Sequence, residues 1–126
     1  MQKIILATNN QGKINELSAL LKPIVCLLQH SLSIPEIAET GLSFVENAII
    51  KARHASKIGK LPALADDSGL VVPTLNGEPG IYSARFAKEK KSSLSNIDYL
   101  LHCLANTKER DRQAYFYLAR LQYQGV

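Results

Sequence analysis

ALADDSGLVV, residues 63–72, is an apolar run with two adjacent aspartates in its middle. Ala63-Leu64-Ala65 reads as a short buried strand that the acids close, and Leu70-Val71-Val72 resumes the apolar pattern. An ionised carboxylate in such surroundings is strongly unfavourable unless a cation or a ligand meets it. Neighbouring residues of an extended chain point to opposite sides, so Asp66 and Asp67 are predicted to do different work. One faces a site, where it holds a divalent cation or activates water, and the other is tied into hydrogen bonds beneath it. The plainer alternative is an Asx turn. A strand ending in acids also says where a ligand sits, because α/β sheets bind at the carboxyl ends of their strands.

Working outward, KIILAT (3–8) is a second buried strand, followed by the turn-forming NNQGK and a helical period, Ile14, Leu17, Leu21 and Ile24. Pro23 closes that helix near Lys22, IVCLLQ (24–29) is a further strand, and a loop runs through Pro35. The clearest helix is SFVENAIIKARHASKIG (43–59), in which Ser43 and Glu46 have capping-box spacing and Gly59 stands at the C-terminal cap. Val45, Ala48, Ile49, Ala52, Ala55 and Ile58 form its predicted core stripe, with Asn47, Lys51 and His54 on the opposite face. Residues 70–87 read as a strand or short helix broken by Asn76-Gly77 and Pro79-Gly80. SLSNIDYLLHCLAN (93–106) is an amphipathic helix with Leu94, Ile97, Leu101 and Leu104 in register, and RQAYFYLARLQYQGV (112–126) is a long strand. No repeat, low-complexity tract or linker interrupts the chain, so residues 1–126 are expected to form a single domain. Alternating strands and helices predict an α/β fold with a central sheet.

With 46% hydrophobic residues the 126-residue chain can fill one core, and its net charge of +4 is mildly basic. That suits an anionic small molecule or a nucleic acid, but scattered surface lysines explain it equally. The basic run Lys88–Lys91 contains Glu89 and reads as a solvated loop. Tyr115, Tyr117 and Tyr123 share one strand, but a binding face that interleaves aromatic and basic residues is lacking, so no nucleic-acid partner is expected. Cys26 and Cys103 lack CxxC spacing and are predicted to be buried free thiols of a reducing compartment. Ile4-Ile5-Leu6-Ala7 is too short for a signal segment or a membrane span, which predicts a soluble, cytoplasmic protein with no membrane partner. His30, His54 and His102 show no ligand spacing and are expected to be structural or exposed.

Four constellations could carry chemistry. Thr8-Asn9-Asn10-Gln11-Gly12-Lys13 joins a strand to a helix N-terminus, where free backbone N–H groups, a close-approach glycine and a lysine suit an anion. It is not a Walker loop, and an ordinary turn with an exposed lysine has the same spacing. Asp66-Asp67-Ser68-Gly69 offers carboxylates for Mg²⁺, which favours one or two protein acids plus phosphate oxygens and water. Glu39 precedes Gly41 and the helix carrying Asn47 and Lys51, and GEPGIYSARF (77–86) delivers Arg85 either to a phosphate or to a neighbouring acid. No serine, cysteine or threonine has a convincing base partner, which disfavours covalent catalysis. Together these groups suit in-line attack on a nucleotide phosphate, where positioning and charge neutralisation dominate.

ILATNNQGKINEL (5–17), AETGLSFVENAIIKARHA (38–55), ALADDSGLVVPTLNGEPGIYSARFA (63–87) and RQAYFYLARL (112–121) resemble, in order and spacing, the inosine/xanthosine triphosphate pyrophosphatases, a Ham1-like family. The resemblance implies Mg²⁺-dependent hydrolysis of ITP, dITP and XTP to the monophosphate and pyrophosphate. It implies that Thr8, Asn10 and Lys13 bind the triphosphate, with Asn9, Gln11 and Gly12 lending backbone groups. Glu39 and Asp67 would hold the metal, Asp67 would also activate water, Ser68 would contact the nucleotide, and Lys51 and Arg85 the phosphates. It further implies a homodimer and an elongated two-lobed α/β fold around a long mixed sheet flanked by helices. The family continues beyond this point with a glycine-rich segment and a late Ser-His-Arg that recognise the base. The chain is therefore expected to be C-terminally truncated, and the alternative function is an impaired fragment that binds a nucleoside triphosphate or a partner chain without turnover.

Overall fold

Two four-residue parallel strands and a longer third, begun at mid-chain, set the frame of the fold. The computed structural model describes residues 2–124, and Met1, Gly125 and Val126, the last two at the end of the strand predicted over 112–126, lie outside them. In chain order the elements are β1 (Lys3–Leu6), α1 (Gln11–Leu20), β2 (Val25–Leu28), α2 (Phe44–Gly59), β3 (Ala63–Val71), α3 (Phe86–Glu89), α4 (Asn96–Cys103) and β4 (Tyr115–Tyr123). The sheet runs β2-β1-β3-β4, and β1 is parallel to both β2 and β3, with Ile5 opposite Ala63 and Leu6 opposite Leu64. Helices alternate with its strands, as expected of an α/β fold.

The chain divides into two compact units, one of residues up to Asp67 together with Ala119 onward, the other Ser68–Leu118. In the first, side-chain alternation along β1 builds two layers. Ile5 and Ala7 pack with Ala63 and Ala65 of β3, Ala52 and Ala55 of α2, and Ile34. Ile4 and Leu6 pack on the other side with Leu64 of β3 and with Ile14 and Leu17 of α1. The two helices therefore cover opposite faces of the strands, which fixes the direction of every residue that follows Ala65 in β3.

Several local expectations shift. The acids do not close β3, which runs through them to Val71; its pairing with β1 covers Ala63 and Leu64, and β4 is its hydrogen-bonded neighbour on the other side. In α2 the buried residues are Asn47, Ala48, Ala52, Ala55 and Ser56, while Val45 and Ile58 of the predicted stripe are 48% and 45% exposed. The helix is rotated so that Asn47 enters the interior. Its cap forms as predicted at Ser43, whose Oγ accepts from Glu46 N–H, but the Glu46 carboxylate accepts from Leu42 N–H. The C-terminal cap is Lys60, left-handed at φ 60°, and Gly59 serves close approach instead, since a Cβ there would collide with Ile5.

In the second unit, β3 gives way to 3₁₀ turns at Pro73–Leu75 and Gly80–Arg85, and then to the single helical turn α3. Phe86 is fully buried and packs edge-on against Tyr99 at 5.0 Å. Ser95 caps α4, but of the predicted core register only Leu104 is buried, and Ile97 is 72% exposed. Among the described residues no helix is long and apolar enough to cross a membrane.

Candidate active site

The two layers separate Asp66 from Asp67. Asp66 follows Leu64 in the alternation and points to the α1 side, where its Oδ1 accepts from Lys13 Nζ at 2.6 Å. Its Oδ2 lies 3.8 Å from Arg120 Nη2 of β4, so this buried carboxylate serves two cations. Asp67 follows Ala63 and Ala65 to the α2 side and meets a different set. Asn47 Nδ2 donates to its Oδ2 at 3.4 Å, and Lys51 Nζ stands 3.8 Å from its Oδ1. The adjacent acids thus point to opposite sides with different partners, and they lie within a strand rather than in an Asx turn.

Lys51 also reaches Glu39, with Nζ 3.3 Å from Oε1. Asn47 and Lys51 lie one helical turn apart, which puts both on the same side of α2. Gly41 brings the loop before the helix against them, because its N–H donates to Asn47 Oδ1 at 2.7 Å. A Cβ at Gly41 would lie 2.7 Å from that oxygen and 3.0 Å from Asn47 N, so only glycine fits. Asn47 is fully buried and turns its oxygen to the loop and its amide to Asp67.

Burial raises the Asp67 pKa above the ordinary carboxylate value, and the Glu39 charge adds to the rise. Lys51, the Asn47 hydrogen bond and Lys13 oppose it. A carboxyl tuned in this direction holds its proton more tightly, as suits a group that must take one.

The loop ahead of α1 is organised by its own side chains. Asn10 Oδ1 accepts from Lys13 N–H at 3.0 Å as the helix cap, and Thr8 Oγ1 accepts from Asn10 N–H. The N–H groups of Gln11 and Gly12 belong to the first turn, where no intrahelical acceptor exists, a setting that suits an anion. Asn9 is committed elsewhere, donating to Glu36 at 2.7 Å and accepting from Gln29 Nε2 at 3.1 Å. The Gln11 side chain donates to Asn15. The side chains of both residues are thus engaged within the protein.

Ser68 is half-buried in β3 as the first residue of the second unit. Arg85 also lies in that unit, stacked 5.3 Å from the Tyr82 ring with Nε 3.5 Å from Glu89. Two participants were given no role by the sequence. Asn47 was legible only as a polar residue in helical register with Lys51, and Arg120 only as a charge among the apolar residues of β4. His54 donates or accepts at Pro35 O, 2.8 Å away, a structural contact.

Glu39 and Asp67 share one ammonium, so their oxygens already converge on one positive charge. Two hard carboxylate donors suit Mg²⁺, which takes its remaining ligands from phosphate and water. Among the described residues no third acid, histidine or cysteine joins them.

A family profile described as the Ham1 family matches residues 4–124. A relative from Legionella pneumophila (strain Paris), named dITP/XTP pyrophosphatase, is 60% identical over 119 residues, which are 94% of this chain and 61% of that protein. One of the same name from Salmonella paratyphi A is 50% identical over 93% of this chain and 60% of its own length. Among solved structures, a HAM1 protein from Coxiella burnetii superposes with a TM-score of 0.88 at 42% identity, covering 98% of this chain and 64% of that one. The chain spans about three fifths of the length of the curated relatives it matches. With the strand-borne acid pair, the capped loop before α1 and the profile match in agreement, the chain belongs to the Ham1 family.

Proposed function

We propose that this chain carries the phosphate- and metal-handling residues of an enzyme that hydrolyses dITP, XTP and ITP to the monophosphate and pyrophosphate. The observation that carries the reading is the convergence of Glu39 and Asp67 on Lys51, one strand residue from the Asp66–Lys13 pair. The names of the relatives support dITP and XTP as substrates, and ITP is what the sequence resemblance implies.

Glu39 and Asp67 are the residues that would hold Mg²⁺, which when bound neutralises phosphate charge in the substrate. The N–H groups of Gln11 and Gly12, the Thr8 hydroxyl and Lys13 receive the triphosphate, and Lys51 pairs with a phosphate oxygen. Asn10, which also caps the first turn, joins them at the triphosphate, and by the resemblance Ser68 contacts the nucleotide and Arg85 a phosphate. Asp67 takes a proton from water as the water oxygen bonds to the α-phosphorus. The bond from that phosphorus to the bridging oxygen breaks, and pyrophosphate leaves with the electron pair. A homodimer is the proposed assembly, and the free thiols Cys26 and Cys103 suit a cytoplasmic setting.

The test is pyrophosphate release from dITP, XTP and dGTP by the 126-residue chain, with Mg²⁺ and with EDTA. Mg²⁺-dependent release favouring dITP and XTP supports the proposal. Binding of dITP without release supports the impaired-fragment alternative, and neither binding nor release from folded protein sinks both.

A further inference from the structure

Lys51 is the most enclosed cation of the site. Its side chain is 18% exposed, and those of Glu39 and Asp67 are 27% and 10% exposed. The stem rises from the middle of α2, so the ammonium lies between carboxylates from two other segments, the loop before the helix and β3. Asp67 spends its second oxygen on Asn47, leaving the edge that faces Lys51 for any further cation.

We propose that Lys51 is an internal competitor for the divalent metal, so that Glu39 and Asp67 accept the ion only when an anionic phosphate draws the ammonium away. The proposal rests on the reading of those two acids as metal ligands. Its physical basis is charge. One ammonium offsets half of the charge of the two carboxylates and occupies the space between them, and a dication placed beside that ammonium is repelled by it in a partly buried setting. Lysine suits the role because its compact charge sits on a flexible stem and can swing to a phosphate without moving the helix. A triphosphate brings more negative charge than the two acids, so its arrival makes room for both cations. Metal and nucleotide therefore enter together, and the free protein holds divalent ions weakly.

The test is Mn²⁺ binding in the absence of nucleotide, read from the electron paramagnetic resonance signal of free Mn²⁺. Lys51→Gln is expected to bind Mn²⁺ about tenfold or more tighter than the wild type, and Lys51→Arg to stay close to it. Equal or weaker binding by a folded Lys51→Gln protein overturns the proposal. Lys51→Met repeats the test with another neutral stem. Should neither neutral variant fold, the Lys51 Cε–Hε resonance of the wild type decides. Saturation with Mg²⁺ alone must shift it, and an unmoved signal overturns the competition. Adding Asp67→Asn to Lys51→Gln must abolish the gain; a gain that survives removes the metal role from Asp67. Absence of dITP hydrolysis beside intact Mn²⁺ competition overturns the activity and leaves the competition standing.

Discussion

Asp66 and Asp67 share a peptide bond but keep different ion-pair and hydrogen-bond partners. One compensates Lys13 and Arg120, and the other lies against Asn47, Lys51 and Glu39. Asp67→Asn is expected to lower Mg²⁺-dependent turnover by about 10²-fold or more, the usual worth of a general base, with the fold retained. Its raised pKa also sets the sign of a stability effect. The folded state binds this proton more tightly than the unfolded chain, so the contribution is fully present below the ordinary carboxylate pKa. It is lost as pH rises through the folded value. Denaturant titrations in EDTA should show wild-type stability falling relative to Asp67→Asn across that window, and parallel curves would contradict the burial argument. On the other side, Arg120→Leu leaves the whole Asp66 charge on Lys13. The expected result is a several-fold rise in KM for dITP at unchanged kcat, restored by Arg120→Lys. A fall in kcat alone would argue against a role through Lys13.

At the scale of elements, α2 does the positioning. It presents Asn47 and Lys51 one turn apart and is seated by Gly41 in front and Gly59 behind. Gly41→Ala forces its new methyl against Asn47, and overpacking of this kind costs about 1–3 kcal/mol. The measured outcome should be a lower melting temperature together with reduced turnover, because Asn47 is what Asp67 leans on. Loss of stability with full turnover would detach Asn47 from the site. The helix boundaries, its cap at Ser43 and the strands before and after it were legible in the sequence, since capping chemistry and apolar runs are local. The rotation that buries Asn47 was not, because a buried asparagine depends on a glycine N–H and a carboxylate supplied from elsewhere in the chain. The same limit hid the continuation of β3 through its acids. Aspartate and glycine disfavour strands, and pairing with β4, distant in sequence, is not visible in the local run.

At the scale of the molecule, apolar side chains remain at the surface of the second unit. Ile97 and Leu101 of α4 are exposed, as are Tyr115, Phe116, Tyr117 and Leu118 of β4. The amphipathic period of 93–106 was read correctly as a helix, but its apolar stripe does not face the interior, since a period says which side is apolar and not what covers it. Surfaces of this kind favour association. Light scattering on the 126-residue chain should therefore give a mass above that of a monomer, and Ile97→Glu with Leu101→Glu should lower it. An unchanged monomeric mass in both proteins would remove the dimer from the proposal.

The alternation along β3 makes the roles of the two acids a matter of parity. Counting from Ala63, odd steps face α1 and even steps face α2, so chemistry is assigned by position in the count as much as by residue type. Moving the carboxylate one residue on, as in Asp67→Asn with Ser68→Asp, turns it to the wrong side of the sheet, whereas a loop could absorb such a shift. One inserted residue between Ala63 and Asp66 would exchange the two aspartates, handing the proposed metal-binding position to the acid now paired with Lys13. Placing the acids on a strand thus leaves the site more vulnerable to a single insertion or deletion than a loop would.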